Sequence, residues 1–309
     1  MKLILPEAGG PPSQPDPYVF KAGGKYYIYA SGDGGVKTYM SEKLTEGWKY
    51  IGRAIAEKGI HFYWAPCVIE RDGTYYMYYS SIPEGETDHH KQAVKVAVSR
   101  SPEGPFEYKK TVIPAFSIDP HVVKSGGEYY IFYSLNDYEA ERAGTYIAVD
   151  RLADMFTAEG KPVPVVVPTV DEEIFMKDRF RPGQNWHTVE GAFYFREGNR
   201  HFLMYSGNCY QNEKYFVGYA CAESAENDLR KVPFRKYPSG DVYAPLLAKN
   251  AEEEGTGHNS VIREGGEYYI VYHARDVSGK KAEDTRTARI CKMRSTACAS
   301  SRKGDQENC

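Results

Sequence analysis

The sequence predicts an all-β protein, a five-bladed β-propeller of four-stranded antiparallel blades. A tyrosine-rich motif occurs five times, and each copy follows a lead residue by seven or eight positions. Aromatic residues make up 14% of the chain, which suits strands because aromatic side chains pack well on a pleated surface. The five copies of the motif span residues 23–31, 72–80, 126–134, 198–206 and 265–273.

The third copy, DPHVVKSGGEYYIFYS, indicates how each copy folds. An apolar stretch at 121–123 is followed by a glycine-containing turn and a second apolar stretch at 128–133. Two such stretches joined by a short glycine-rich turn are typical of a β-hairpin. The second stretch is apolar on both faces, which indicates a strand that is covered on both sides.

The spacing between copies leaves room for four short strands in each. The residues that precede the last hairpin strand are 49, 54, 72 and 67 positions apart, and third strands are predicted at 95–101, 145–151 and 216–224. Four-stranded sheets packed around an axis form a propeller. A β-sandwich also uses many short strands, but it gives no reason for five hairpins with a polar residue at a near-constant offset.

We expect one domain and a tail. Residues 1–294 are predicted to form the single propeller, with no helix beyond short turns and no linker. Residues 295–309 are polar and of low complexity, and they are predicted to be disordered.

Composition excludes several partners and locations. A net charge of −3 leaves no basic surface for nucleic acid. The chain has no apolar run near the ~18 residues that a membrane helix needs. The apolar run before Pro6 is too short for a signal-peptide core, so the chain as given is expected to be cytoplasmic, the alternative being a chain whose leader has been removed.

The lead residues predict a site. Asp16, Ala65, Asp119, Glu190 and His258 precede the five motifs, and all but Ala65 can carry or accept a proton. The first strand of each blade lines the central channel, so these positions should converge at one mouth of it. For either Asp-Pro pair alone, the simple opening of a turn is the better interpretation. The matching offsets favour a site.

Three carboxyl groups in one pocket indicate acid–base chemistry. Crowding and burial raise the pKa of at least one of them, which gives a protonated acid beside an ionised base. Inverting glycoside hydrolysis needs this pair, about 6.5–9.5 Å apart.

At these positions the chain resembles glycoside hydrolase family 43. The resemblance runs from residue 15 to about 293, through PDPYVF, YWAPCVI, SIDPHVV, TVEGAFYF and GTGHNSVI. It implies that Asp16 is the general base, Glu190 the general acid and Asp119 the group that modulates the pKa of that acid. No cofactor is required for the chemistry. The resemblance also implies that His258 lies in the channel near a structural calcium ion. A buried histidine without metal is the alternative.

Further side chains are predicted to hold the sugar. Trp64 is expected to stack on it, and Phe62, Trp186 and His187 either flank the pocket or pack in the core. Arg275 and Arg286 are candidate partners for sugar hydroxyls, with Arg286 preferred. The loop 84–91, with His89 and His90, is expected to be a solvated surface loop rather than a cover of the pocket.

The resulting functional prediction is an inverting exo-glycosidase. It would remove terminal α-L-arabinofuranosyl or β-D-xylosyl residues from hemicellulose-derived oligosaccharides or polysaccharides. An endo-1,5-α-L-arabinanase of the same family is one alternative, and a non-catalytic carbohydrate-binding propeller is another. Neither nucleic acid nor membrane is expected as a partner.

Overall fold

The computed structural model describes residues 13–277 and 286–293, and it confirms the all-β prediction. The predicted tail, 295–309, lies outside the described residues. In the described part of the chain the only helices are two short 3-10 turns, and no helix is long and apolar enough to span a membrane. These turns are His89–Lys91 and Asp171–Glu173.

The first two sheets are four-stranded antiparallel meanders, in the order of the chain. Both begin with one of the predicted hairpins, closed by a short turn with positive-φ residues. The first contains β1 (Tyr18–Ala22), β2 (Lys25–Ala30), β3 (Val36–Ser41) and β4 (Lys49–Ile55); the second contains β5 (Ile60–Arg71), β6 (Thr74–Pro83), β7 (Ala93–Ser99) and β8 (Glu107–Ile113).

The third sheet is larger, with ten strands. It contains β9 (Ile118–Ser125), β10 (Glu128–Asp137), β11 (Gly144–Asp154), β12 (Thr157–Ala158), β13 (Val163–Val166), β14 (Ile174–Met176), β15 (Trp186–Glu197), β16 (Arg200–Gly207), β17 (Phe216–Glu223) and β18 (Arg235–Lys236).

The last sheet has three strands within the described residues. They are β19 (Glu253–Glu264), β20 (Glu267–Asp276) and β21 (Thr287–Lys292).

The prediction of five separate four-stranded blades is therefore not confirmed. The third and fourth repeats share one sheet, because β11 and β15 pair in parallel where Gly144 faces His187 and Thr145 faces Thr188. Gly144 permits this contact, since a Cβ there would lie 2.2 Å from the carbonyl oxygen of His187. All five repeats do form the predicted antiparallel hairpins.

The apolar core lies between successive repeats. Five clusters of buried side chains join each hairpin unit to the next. One of them joins the last sheet to the first, where Tyr26 and Ile28 share a cluster with Val271 and Ile290. The two ends of the described chain thus pack against each other, as a ring requires, while the count of five blades stays a prediction.

Candidate active site

A β-bulge lies at the lead position in four of the five hairpins, those of the second to fifth repeats. In the second repeat Trp64 pairs with Ser80 and Cys67 with Tyr78, so three steps on one strand oppose two on the other. Such a bulge turns the extra side chain away from the regular alternation of the strand. The same shift follows Ile118, Glu190 and Gly257 in the later repeats.

The residue at this position has a left-handed backbone conformation in all five repeats, including the first, where the register is unbroken. The φ angles are 55° at Asp16, 46° at Ala65, 58° at Asp119, 66° at Gly191 and 43° at His258. A positive φ is uncommon outside glycine, and its recurrence here marks equivalent positions.

This equivalence corrects the assignment of the fourth lead residue. The structural counterpart of Asp16 and Asp119 is Gly191, and Glu190 occupies the preceding position, as Trp64 does in the second repeat. The offset of eight at Glu190, against seven elsewhere, has this cause.

The last residue of each motif holds the next repeat in place at three of the five junctions. The Ser31 hydroxyl accepts the backbone N–H of Ala65 at 2.7 Å, and the Ser206 hydroxyl accepts that of His258 at 2.7 Å. At the junction of the chain's two ends, the N–H of Asp16 donates to His273 Nδ1 at 3.1 Å. These bonds fix the lead residues against one another across repeats.

Asp16 is largely buried and surrounded by donors and positive charge. The Ser31 hydroxyl donates to its Oδ2 at 2.5 Å. His258 Nδ1 and Arg286 Nη1 lie 3.3 and 3.8 Å from its Oδ1. This setting favours the carboxylate form.

The pKa of Asp16 reflects this setting. Burial alone would raise it, but His258, His273 and Arg286 hold the pKa of this carboxyl well below its usual range. Burial also lowers the pKa of both histidines, that of His273 to about 4, so both are neutral near pH 7. Arg286 is the partner that stays charged. Asp16 is therefore ionised across the physiological range.

The pKa values of Asp119 and Glu190 shift in the opposite direction to that of Asp16. Burial, followed by repulsion from Glu190 and Asp16, raises the pKa of Asp119 well above its usual range. Burial also raises the pKa of Glu190 to about 7, although a hydrogen bond from Tyr215 opposes the shift. The N–H of Gly191 donates to Asp119 Oδ2 at 3.1 Å. Near neutral pH this pair therefore retains a proton beside an ionised Asp16.

Tyr215 is a site residue that the sequence did not single out. Its phenol donates to Glu190 Oε1 at 2.7 Å, and its ring stacks on that of His273 with centroids 5.8 Å apart. No motif marks it among 27 tyrosines, since it lies just before β17 and outside the five repeats of the tyrosine-rich motif.

The three carboxyl side chains line one cavity of about 560 Å³, which we call the carboxyl pocket. Its size suits one or a few sugar units. Other side chains on its wall are Ser31, Lys37, Arg53, Phe62, Trp64, His89, Tyr210, Tyr215, His258 and Arg286.

Three rings form an aromatic wall of this pocket. His89 meets Phe62 and Trp64 nearly at right angles, with centroids 5.0 Å away in each case. Trp64 thus lies on the pocket wall, as the sequence predicted, and of the two alternatives for Phe62 the structure shows the one at the pocket. The prediction that the loop 84–91 is only a solvated surface is wrong for His89, which is exposed yet lines the pocket.

Of the two candidate arginines, only one lies on the wall of the carboxyl pocket. Arg286 lines the pocket, and its guanidinium lies 4.6 Å from the ring centroid of Tyr210. Arg275 is not on the wall; it donates to the carbonyl oxygens of Tyr210 and Asn212 at 2.9 and 2.7 Å. It therefore supports the segment that carries Tyr210.

Trp186 and His187 lie outside the carboxyl pocket. Trp186 is buried beneath Tyr138 and Phe180. His187 is buried with its Nε2 3.2 Å from Arg142 Nη1, and it borders a second cavity. Both residues pair with β14, which covers the start of β15.

The surroundings of His258 do not fit a calcium ion held by protein ligands. Its Nδ1 faces the carboxylate of Asp16, and a Cβ on Gly191 would lie 3.2 Å from that nitrogen. Calcium takes 6–8 oxygen ligands. Among residues 13–277 and 286–293 no group of three or more His, Cys, Asp and Glu side chains could hold a metal ion.

Comparison with known proteins agrees with this geometry. The family model for glycosyl hydrolases family 43 matches residues 10–297. A thermostable family-43 glycoside hydrolase of known structure is 28% identical, with a TM-score of 0.77 over 99% of both chains.

Two curated relatives show the range of the similarity. A probable arabinan endo-1,5-alpha-L-arabinosidase C of Neosartorya fischeri is 26% identical over 87% of this chain and 84% of its own. A xylosidase/arabinosidase of Bacteroides ovatus is 25% identical over 80% of this chain and 74% of its own. With the family model matching nearly the whole chain, this protein belongs to family 43 of the glycosyl hydrolases.

Proposed function

We propose that this protein is an inverting glycosidase that acts on glycans containing arabinofuranose or xylose. The observation that carries the proposal is that Asp16 and Glu190 line one pocket in opposite settings: Asp16 among hydrogen-bond donors and the Arg286 guanidinium, and Glu190 buried with a single bond from Tyr215. Asp16 has its pKa held well below the usual range, and burial raises that of Glu190 to about 7. One site thus presents a base and an acid at the same pH.

In the proposed mechanism a water molecule between Asp16 and the sugar attacks the anomeric carbon. Asp16 takes a proton from this water, and Glu190 gives a proton to the departing glycosidic oxygen. One C–O bond forms as the other breaks, so the configuration at the anomeric carbon inverts. Burial and repulsion between Asp119 and Glu190 keep a proton on this pair, and Asp119 accepts the N–H of Gly191, which adjoins the acid, so Asp119 would help to hold Glu190 in position.

The aromatic wall supports removal of terminal sugars. Phe62, Trp64 and His89 pack together on one side of the pocket, where they would stack against a single bound ring. Arg286 stands on the wall beside Asp16 and would donate to sugar hydroxyls. The five-bladed arrangement belongs to the same proposal, and the five hairpins, each with a residue of positive φ at the equivalent position, support it.

Endo-action on arabinan is the second candidate. The name of the Neosartorya fischeri relative favours it, since that protein is a probable arabinan endo-1,5-alpha-L-arabinosidase. The two modes give different products: an exo-enzyme releases single sugars from the start, whereas an endo-enzyme first releases oligosaccharides from debranched arabinan.

A side-by-side assay tests the proposal. Nitrophenyl α-L-arabinofuranoside, nitrophenyl β-D-xyloside and debranched arabinan are incubated with the wild-type protein and with Glu190→Ala. Loss of the acid should lower hydrolysis of debranched arabinan by roughly 10²–10⁴-fold, and that of the nitrophenyl glycosides less because nitrophenolate leaves readily, while sugar binding, measured by calorimetry, survives. Equal turnover by both proteins would refute the mechanism, and binding without turnover by the wild type would support a non-catalytic propeller.

A further inference from the structure

Trp186 supports two aromatic rings that face solvent. Tyr138 and Phe180 are 45% and 52% exposed, whereas Trp186 is 2% exposed. The ring of Trp186 lies 5.0 Å from that of Tyr138 and 5.4 Å from that of Phe180, centroid to centroid. Large exposed rings that adjoin one another mark binding surfaces more often than isolated ones do.

The segment that carries Phe180 is ordered by its own hydrogen bonds. The N–H of Gly183 donates to Asp178 Oδ1 at 2.6 Å, and the N–H of Arg179 donates to the carbonyl oxygen of Gln184 at 3.1 Å. Asp178 in turn donates its N–H to Asn185 Oδ1 at 3.3 Å. A ligand that binds there would lose little free energy to ordering the loop.

Arg179 fixes the rings from the side. Its guanidinium carbon lies 5.2 Å from the centroids of Phe175, Phe180 and Trp186 alike. Such cation–π contacts hold planar groups in a defined orientation. The Phe180 ring is therefore held in one orientation although it is exposed to solvent.

A polar cavity of about 550 Å³ adjoins these rings. Its wall carries both donors and acceptors: Glu139, Arg142, Arg181, Gln184 and Asn185, beside Tyr138. Neither sign of charge dominates, so the lining suits a neutral ligand with many hydroxyl groups. An apolar face joined to a few polar groups is the usual form of a small-molecule site.

We propose that Tyr138, Phe180 and this cavity, the Trp186 surface, bind a second stretch of glycan chain outside the carboxyl pocket. Rings would stack on the apolar faces of sugars, and the amide, guanidinium and carboxylate groups would bond their hydroxyls. This proposal rests on the proposed function, since it takes the polymeric substrate as the ligand.

The position of the surface supports this ligand. Trp186 and Glu190 both lie at the start of β15, four residues apart. At about 3.3 Å per residue their Cα atoms are at most ~13 Å apart. The two cavities share no lining residue, so they are separate sites within reach of one glycan chain.

The test compares a polymer with a small substrate. In the Tyr138→Ala/Phe180→Ala double variant, KM for debranched arabinan or arabinoxylan should rise about 3–10-fold, the loss of roughly one stacking contact. Hydrolysis of the nitrophenyl glycosides should not change. Tyr108→Ala is the matched control, because Tyr108 is 41% exposed and lies in β8 of the second sheet, not on the Trp186 surface.

Binding is measured separately from turnover. Glu190→Gln, with and without the double substitution, is sedimented with insoluble arabinoxylan, and the double substitution should lower the bound fraction several-fold. The proposal would be overturned if the double substitution left the bound fraction unchanged. It would also be overturned if the double substitution lowered hydrolysis of the polymer and of the nitrophenyl glycosides equally. A wild-type dimer that the double substitution dissociates in light scattering would overturn it too, because the surface would then bind a second copy. If the wild type hydrolyses none of the substrates, the proposed function fails, while the sedimentation result still stands by itself.

Discussion

The phenol of Tyr215 donates a 2.7 Å hydrogen bond to Oε1 of Glu190. Tyr215 is buried, stacked on His273 and packed against the backbone of Gly257, where a Cβ would lie 1.9 Å from Tyr215 Cε1. The phenol therefore cannot turn away easily. We assign Tyr215 as a positioning residue for the proposed acid.

Tyr215→Phe should alter both the rate and its pH dependence. The hydrogen bond lowers the pKa of Glu190 against the larger effect of burial, so its loss should move that pKa above about 7. The basic limb of the kcat/KM profile should shift upward. Loss of positioning should lower kcat about 10-fold at pH values below this limb, where Glu190 is protonated in both proteins, as expected for one hydrogen bond to an ionisable group.

A pH profile of kcat/KM on nitrophenyl α-L-arabinofuranoside checks this. A uniform fall without a shift of the limb would indicate that Tyr215 only packs. A shift without any fall would show that Glu190 keeps its position without the phenol.

The wild-type profile should be strongly asymmetric. Glu190 must be protonated to donate, so kcat/KM should fall as pH rises through about 7. Asp16 must be ionised to accept, and its lowered pKa should keep activity intact down to below about pH 4. The basic limb belongs to the coupled pair of Asp119 and Glu190. A limb at or below pH 5 would contradict this assignment.

Glu190→Gln should make the protein more stable at alkaline pH. The native state binds the Glu190 proton more tightly than the unfolded state does, because burial raises its pKa from 4.5 to about 7. Between those values the unfolded state alone releases the proton, so wild-type stability falls as pH rises. Gln cannot ionise, so the variant should gain on the order of 1–3 kcal/mol relative to the wild type from pH 5 to pH 8.

Thermal unfolding of both proteins at pH 5 and pH 8 gives this difference. If Tm changed by the same amount between pH 5 and pH 8 in the wild type and the variant, burial would not raise the pKa of Glu190, and the prediction would be wrong.

Gly257→Ala should disrupt the site through Tyr215. The added methyl would overlap the Tyr215 ring, so the ring or the strand must shift, at a cost of about 1–3 kcal/mol. The loss of kcat should exceed that of Tyr215→Phe. Gly240→Ala is the control, since the nearest atom to a Cβ there, on Thr169, lies 4.0 Å away. If Gly257→Ala and Gly240→Ala lowered kcat and stability equally, this explanation would be wrong.

Ser31→Ala should affect both stability and activity. Ser31 accepts the N–H of Ala65 and donates to Asp16, so its removal leaves a buried N–H unpaired and frees the carboxylate. We expect a loss of about 1–3 kcal/mol in unfolding free energy and a lower kcat. Ser134 occupies the same motif position, and within the described residues its buried hydroxyl has no partner. Ser134→Ala should therefore be nearly neutral, and chemical denaturation of both variants decides the matter.

The sequence predicted what the repeat encodes. The hairpins follow from the repeated motif, and the nearly constant offset predicted that Asp16, Asp119 and Glu190 would line one pocket. The one-residue displacement of Glu190 was visible as an offset of eight, but only the backbone angle of Gly191 explains it.

The repeat could not predict the positions of side chains that lie between its copies. Trp186 lies near Glu190 in sequence, yet it packs beneath Phe180, because β14 pairs with the start of β15 and covers it. Tyr215 and His89 reach the pocket from segments with no repeat to align them. Tertiary packing alone decides which of many aromatic side chains meets a carboxyl group.

The most direct test of the account is the anomer that forms first. Proton NMR during hydrolysis of nitrophenyl α-L-arabinofuranoside, or of nitrophenyl β-D-xyloside if that is the better substrate, should show the inverted sugar before mutarotation, because Asp16 activates water and forms no covalent intermediate. Initial release of the retained anomer would contradict the assignment of Asp16 as base and, with it, the proposed mechanism.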